Sequence, residues 1–270
     1  MQHNNTYSLA KFVRQSVVKM TSFGNSSHVG SCLSIADIMA VLYGEILNVD
    51  PQNPDMPDRD RFLLSKGHAG AAVYASLAGT GFIEPAMLEK HYINGSIMSG
   101  HVSHKGIAGV EASTGSLGQG LAIATGMAMA SKLDGHNRRI VTVMSDGECD
   151  EGSVWEAAMF AAHFRLRNLM AVIDYNKLQS IHSTEQTMAL EPFEDKWRAF
   201  GWNVRRVDGH DHEALIEAMQ PDQENDRPMV LICDTVKGKG VSFMENVVLW
   251  HYRSPDDAER EAALQELANS

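Results

Sequence analysis

Cysteine is scarce: Cys32, Cys149 and Cys233 are the only three, too far apart for a C-x-x-C pair or an even-numbered disulfide framework. That spacing argues against a structural zinc site and suits a reducing, cytoplasmic compartment. No run of about eighteen apolar residues occurs, so no segment is a candidate membrane span. Residues 1–15 lack the basic start and apolar stretch of a secretory signal. Basic residues are also few, 23 Lys and Arg against 34 Asp and Glu, for a formal net charge of −11. Without a basic stripe to neutralise phosphates, nucleic acid is not an expected partner. Internal repeats, low-complexity tracts and linker-like composition are missing as well. What is present is an ordinary globular balance, 44% hydrophobic and 21% charged over 270 residues. A chain of this length can bury a full core unaided, and one domain over 1–270 is expected.

The apolar pattern sets the order of elements. Leu9, Phe12, Val13, Val17 and Met20 share one stripe of a helix over 8–22. Small polar residues follow to Gly30. Ser34 then reads as a helix start with Asp37 as its capping-box partner, and Ile35, Ile38, Met39, Leu42 and Ile46 as the buried face. Residues 50–60 hold three prolines and four aspartates and read as a surface loop. A short strand over 61–65 leads into Lys66-Gly67-His68-Ala69-Gly70 and a small-residue helix. The stretch 95–120 contains seven glycines and two histidines, a density that suggests backbone packed closely against a neighbour. The Ala/Met/Gly-rich helix over 120–133 reads as buried all round. Four β-branched or apolar runs follow at 140–144, 169–173, 202–207 and 229–233. Helical segments at 154–164, 194–200 and 213–219 separate them. This alternation predicts an α/β fold, a doubly wound, mostly parallel sheet with helices on both faces. Ser254-Pro255-Asp256-Asp257 reads as a final helix start with proline at its first position.

Ligands in such sheets bind at the carboxyl ends of the strands. The run 140–144 enters Ser145-Asp146-Gly147, and the run 169–173 enters Asp174-Tyr175-Asn176. Asp146 and Asn176 therefore end two strands of one β-α-β unit, whose right-handed crossover brings those ends together or one strand apart. A carboxylate and an amide oxygen meeting there can ligate a hard cation such as Mg²⁺, which prefers oxygen and often shares its shell with phosphate. Gly147 permits close approach of a diphosphate, and a helix N-terminus near Ser153 adds positive dipole. An isolated Asp-Gly is common in turns; position after predicted strands is what raises this one.

Here the sequence resembles the thiamine diphosphate enzymes, whose motif is G-D-G followed, after a spacer that residues 148–174 match, by a pair ending in asparagine. Ser145 stands where that motif has its first glycine. The resemblance implies that Asp146, Asn176 and the Leu178 carbonyl coordinate Mg²⁺, with Ca²⁺ or Mn²⁺ able to replace it. Further segments narrow the resemblance to the transketolase family. They are Ser27-His28-Val29-Gly30, Ser65-Lys66-Gly67-His68, Ser99-Gly100-His101, the stretch 110–120, Val154-Trp155-Glu156-Ala157, Lys237-Gly238-Lys239-Gly240 and Trp250-His251. Their shared order over about 8–255 is specific, although each alone is weak. The resemblance implies that His68, Gly115, Ser116, Leu117, Gly147 and His251 contact thiamine diphosphate. It further implies that His68 and His101 hydrogen-bond the transferred two-carbon fragment. His28 and His251 would handle protons on the acceptor aldehyde and donor hydroxyl, and Glu151 matches an interface glutamate. Val29 replaces a usual proline, and Tyr252-Arg253-Ser254-Pro255 stands where small residues are common; both departures bear on the acceptor side.

The family's pyrimidine-binding domain, with its activating glutamate, has no counterpart here. The resemblance therefore implies a C-terminal partner chain, an α₂β₂ assembly, and transfer of a glycolaldehyde unit between sugar phosphates. The pathway would be pentose phosphate or specialised. Alternatives are a transketolase-like enzyme of a specialised sugar or secondary-metabolite pathway, a 2-oxo-acid dehydrogenase component, or a deoxyxylulose-phosphate synthase. A nucleotide-binding G-x-G-x-x-G is not matched, because Gly115, Gly118 and Gly120 have the wrong spacing. Cys149 has no neighbour that would lower its pKa. Lys237 and Lys239 suit phosphate ligands and a solvated loop equally.

Overall fold

The computed structural model describes residues 5–222 and 225–269; residues 1–4, 223–224 and 270 of the expected domain lie outside them. Five strands form one sheet: β1 (Arg61–Leu64), β2 (Ile140–Ser145), β3 (Leu169–Tyr175), β4 (Asn203–Asp208) and β5 (Met229–Asp234). Their order is β1-β2-β3-β5-β4 and every pairing is parallel. The helices are α1 (Thr6–Phe23), α2 (Val29–Ser34), α3 (Ala36–Val41), α4 (Gly70–Gly79), α5 (Gln119–Leu133), α6 (Gly152–His163), α7 (Thr184–Thr187), α8 (Phe193–Ala199), α9 (His212–Ala218) and α10 (Asp257–Asn269). No described helix is long and apolar enough to cross a membrane.

Side chains alternate across a strand, so each central strand feeds two cores. Val141, Val143, Met170, Val172, Leu231 and Cys233 pack with α1, α3, α4 and α10 on one face. Ile140, Met144, Ala171, Ile173, Val230 and Ile232 pack with α5, α6 and α8 on the other. Helices thus cover both faces, and the central strands carry near-continuous apolar sequence because neither face meets water.

Three expectations give way. Ser34 does not start a helix: it ends α2, and its buried hydroxyl donates to Asp174. Asp37 likewise caps nothing and instead binds Arg14, His210 and His212. α5 is not buried all round. It buries Gly120, Leu121, Ala124, Thr125, Ala128 and Ser131 while exposing Ile123 and Leu133. Small residues pack equally well against their own domain or a partner, so composition did not distinguish the two. The last helix begins at Asp257 rather than at Pro255, because Asp256 and Glu259 form the reciprocal cap.

Candidate active site

The loops that leave β1, β2, β3 and β5 at their carboxyl ends converge on one cleft. Ser145 pairs with Asp174 in the β2–β3 register, so the residues that follow, Asp146 and Asn176, emerge from adjacent strands. Asp146 is 1% exposed and accepts the Gly147 N–H at 2.7 Å and the Lys177 N–H at 2.6 Å. Burial, reinforced by the Asp174 carboxylate, pushes Asp146 up to about 7. A divalent cation would reverse that penalty by holding the carboxylate ionised. The Asn176 amide donates to Asp174 at 2.9 Å, and its oxygen accepts the Leu178 N–H at 3.1 Å. Carboxylate, amide oxygen and the Leu178 carbonyl together are hard oxygen donors, and they fit Mg²⁺ by donor chemistry.

The four singled-out histidines lie together. Ring centroids are 5.0 Å apart for His28–His68, 4.9 Å for His28–His251, 5.7 Å for His28–His101 and 5.6 Å for His68–His251. A backbone hydrogen bond from His28 to the His251 carbonyl, 3.0 Å long, joins the two segments that carry them. His28 has φ 74°, a left-handed conformation that is strained for a residue with a Cβ. Its Nδ1 is buried without a hydrogen-bond partner, leaving a polar atom available to a ligand. Burial, then His101, Lys237 and Lys66, pushes His28 down to about 4. Burial, then Lys237 and His28, pushes His251 down to about 3. His68 is held well below its usual value by burial and then Lys66. All three rings are therefore neutral at pH 7, able to accept a proton at one nitrogen and donate from the other.

Of the two loop lysines, Lys237 is 1% exposed and not solvated, whereas Lys239 keeps 37% of its side chain exposed beside Glu245. The Lys237 ammonium donates to the Leu178 and Gln179 carbonyls at 3.0 and 3.2 Å and to His251 Nδ1 at 3.0 Å. Burial, then the Lys66 charge, pushes Lys237 down to about 8. Since His251 Nδ1 accepts, the proton of that ring sits on Nε2.

The remaining named residues divide. Gly115 lies against the His101 ring, where an added Cβ would stand 3.1 Å from Cδ2. A Cβ at Gly147 would stand 3.0 Å from Gln179, so that loop too is closely covered. Ser116 is exposed and Leu117 half-buried in the same glycine-rich segment. Glu151 is exposed at the start of α6 and makes no ring or hydrogen-bond contact with the four histidines. Tyr252 is 62% exposed with its ring 6.2 Å from His28.

Three buried charges escaped the sequence reading. Lys66 and Asp174 form an ion pair with no side-chain exposure. Asp174 also accepts the Ser34 and Thr235 hydroxyls. Burial alone would raise Asp174, but Lys66 and those hydroxyls more than offset it and hold the carboxyl below its usual range. Glu148 accepts the Ser65 hydroxyl and the Gly118 N–H (2.8 Å) on one oxygen and the Ser145 N–H (3.2 Å) on the other. It thereby fastens the loops after β1 and β2 to the glycine-rich segment. Ser145 fits because its hydroxyl accepts the Glu148 N–H at 3.2 Å. The signal available in sequence was a charged residue closing an apolar strand, as Asp174 does.

Residues 6–266 match the family described as transketolase, thiamine diphosphate binding domain. The chain is 43% identical over 241 residues to a 6-deoxy-6-sulfo-D-fructose transketolase subunit from a Clostridium strain, covering 89% of this chain and 88% of that one. It is 40% identical over 256 residues to an apulose-4-phosphate transketolase subunit from Phocaeicola vulgatus, with 94% and 91% covered. Its fold is similar to the crystal structure of Campylobacter jejuni transketolase, with a TM-score of 0.92 and 28% identity, covering 99% of this chain. The chain spans 43% of that transketolase's length.

Proposed function

Because this chain belongs to the transketolase family, as its thiamine diphosphate binding domain, we propose that it is the cofactor-holding subunit of a two-chain transketolase. With a partner carrying the pyrimidine-binding domain, it moves a glycolaldehyde unit from a ketose or ketose phosphate to an aldose. The observation that carries this reading is the convergence of four histidine rings beside the ends of β2 and β3. Coverage supports the split arrangement: two relatives named as subunits match nearly end to end, whereas a transketolase chain more than twice as long matches over 43% of its length.

Thiamine diphosphate, when bound, supplies the carbanion equivalent that takes up the two-carbon unit. Asp146, Asn176 and the Leu178 carbonyl would hold Mg²⁺, with Gly147 and the buried Lys237 facing the diphosphate. His68, with Gly115, Ser116 and Leu117, would contact the cofactor, and His68 and His101 the oxygens of the transferred fragment. His251 offers Nε2–H to a substrate oxygen, and His28 offers its unpartnered Nδ1. Being neutral, His28 can receive a hydroxyl proton at Nδ1 and return it to the acceptor aldehyde, while His251, whose Nδ1 is occupied by Lys237, acts as a donor from Nε2. Burial, with the nearby Lys237 and Lys66 charges, keeps both rings neutral. Glu151 and the outward face of α5 and α6 would meet the partner, and an α₂β₂ assembly would shelter the cleft.

A specialised sugar is favoured over the common pentose phosphates by the names of both relatives. Reconstitution with a pyrimidine-domain partner, assayed on phosphorylated and unphosphorylated ketoses, tests both points. Two-carbon transfer by the pair and none by the lone chain is expected. Transfer by the lone chain at ordinary cofactor concentration would defeat the split reading.

A further inference from the structure

We infer that Asp37 is a positioning residue that holds the 235–240 loop so that Lys237 enters the histidine cleft. The inference rests on the reading above in taking that cleft as the cofactor site. Asp37 lies on α3, is 5% exposed, and touches none of the four cleft histidines. Its carboxylate gathers donors from three side chains. Arg14 binds both oxygens, NH1 to Oδ1 at 3.0 Å and NH2 to Oδ2. His210 Nδ1 meets Oδ2 at 2.7 Å, and His212 Nε2 meets Oδ1 at 3.0 Å.

Two of these three donors continue to the loop, one on each side of Lys237. His210 Nε2 accepts the Val236 N–H at 2.9 Å. That acceptor role fixes the tautomer: the His210 proton is on Nδ1 and is donated to Asp37. Arg14 Nε donates to the Lys239 carbonyl at 3.2 Å. Lys237 is thus spanned by two rails that end on one carboxylate. A third tie, Gly238 N–H to the Gly30 carbonyl at 3.0 Å, docks the loop on α2 beside His28. Between these ties the ammonium has little choice of place and lands on Leu178, Gln179 and His251.

The chemistry requires an anion at this position. Burial alone would raise Asp37, but hydrogen bonds from His210 and His212 and the Arg14 charge hold its carboxyl far below the usual range. An amide could accept on only one atom and would leave donors facing each other. The cluster is also not a metal centre. Both histidines spend a nitrogen on Asp37, and among the described residues no group of three His, Cys, Asp or Glu is arranged to hold a metal ion. His212 Nδ1 ends the network on the Thr6 hydroxyl at 2.7 Å, away from the loop.

The test measures amide hydrogen exchange and thiamine diphosphate affinity in the full chain with Mg²⁺, for Asp37→Asn, His210→Ala and Thr6→Val. Asp37→Asn and His210→Ala are expected to speed exchange at 235–240 about tenfold or more and to weaken thiamine diphosphate about tenfold, with free thiamine affected less. His210→Ala leaves the Arg14–Asp37 pair intact, so it reports even if Asp37→Asn fails to fold. Thr6→Val, which cuts only the far end, should change neither reading. Unchanged loop exchange in His210→Ala would overturn the inference, as would affinity losses in all three variants that track their thermal midpoints. If the wild-type chain binds no thiamine diphosphate in the presence of its partner, the proposed function fails; loop exchange then still decides whether Asp37 holds Lys237.

Discussion

Lys66 has no accessible side-chain surface, and the Asp174 carboxylate balances its ammonium. Lys66→Met should lower unfolding stability by roughly 3–5 kcal/mol, because it strands a buried carboxylate. The double change Lys66→Met with Asp174→Leu should cost less than the single one. Denaturant titration checks this, and a double variant worse than Lys66→Met would contradict it. At the proposed metal ligands, Asp146→Ala should abolish the Mg²⁺-dependent part of thiamine diphosphate affinity without unfolding the chain. Calorimetry showing undiminished affinity would remove Asp146 from that role. The two kinds of residue differed in legibility. Asp146 and Asn176 could be found because each follows an apolar run, and strand ends are where such sheets bind ligands. The Lys66–Asp174 pair spans 108 positions, and nothing local in either segment names the other. Glu148 was hidden in the same way, sitting among acidic loop residues that look solvated.

Among the elements, every described strand lies where a β-branched or apolar stretch predicts one. β2, β3 and β5 are covered on both faces and written as continuous apolar runs, whereas the edge strand β4 is only half-buried and mixes Val with Arg and Asn. Sequence periodicity misplaced what the small residues do. α5 and α6 pack together and both turn apolar surface outward, with Ile123 at 36%, Met159 at 55%, Phe160 at 42% and Leu133 at 73% exposure. Isolated exposed apolar residues need no explanation, but two neighbouring helices that share such a face suit a partner. Ile123→Glu and Phe160→Glu should preserve the fold and weaken assembly with the partner chain at least about tenfold, a charge in a buried interface being costly. Gel filtration of the mixed chains measures it; undisturbed assembly would move the interface elsewhere. The Ser34–Asp37 stretch misled for a different reason. Its spacing fits a capping box, yet both side chains are drawn to distant charges, Asp174 and Arg14, that outcompete a local cap.

For the whole molecule, acid should be destabilising before ordinary carboxylates titrate. His91 is 2% exposed, and burial pushes it from 6.5 down to about 4. Between those values the unfolded chain takes up a proton that the native chain refuses, so stability falls as pH falls. Above 6.5 neither state is protonated and the contribution is constant. The loss from this one residue could reach about 3 kcal/mol by about pH 4. His28 and His251 are shifted in the same sense and add to it. Thermal midpoints at about pH 7.5 and about pH 5 should differ in the wild type and differ less in His91→Gln. Equal slopes for the two proteins would refute the assignment.

The hydrogen bond between His28 and His251 closes a long loop of chain. A contact of such wide sequence separation repays its entropic cost only once both segments have docked. The four rings are therefore expected to meet late in folding, after the local helices have formed.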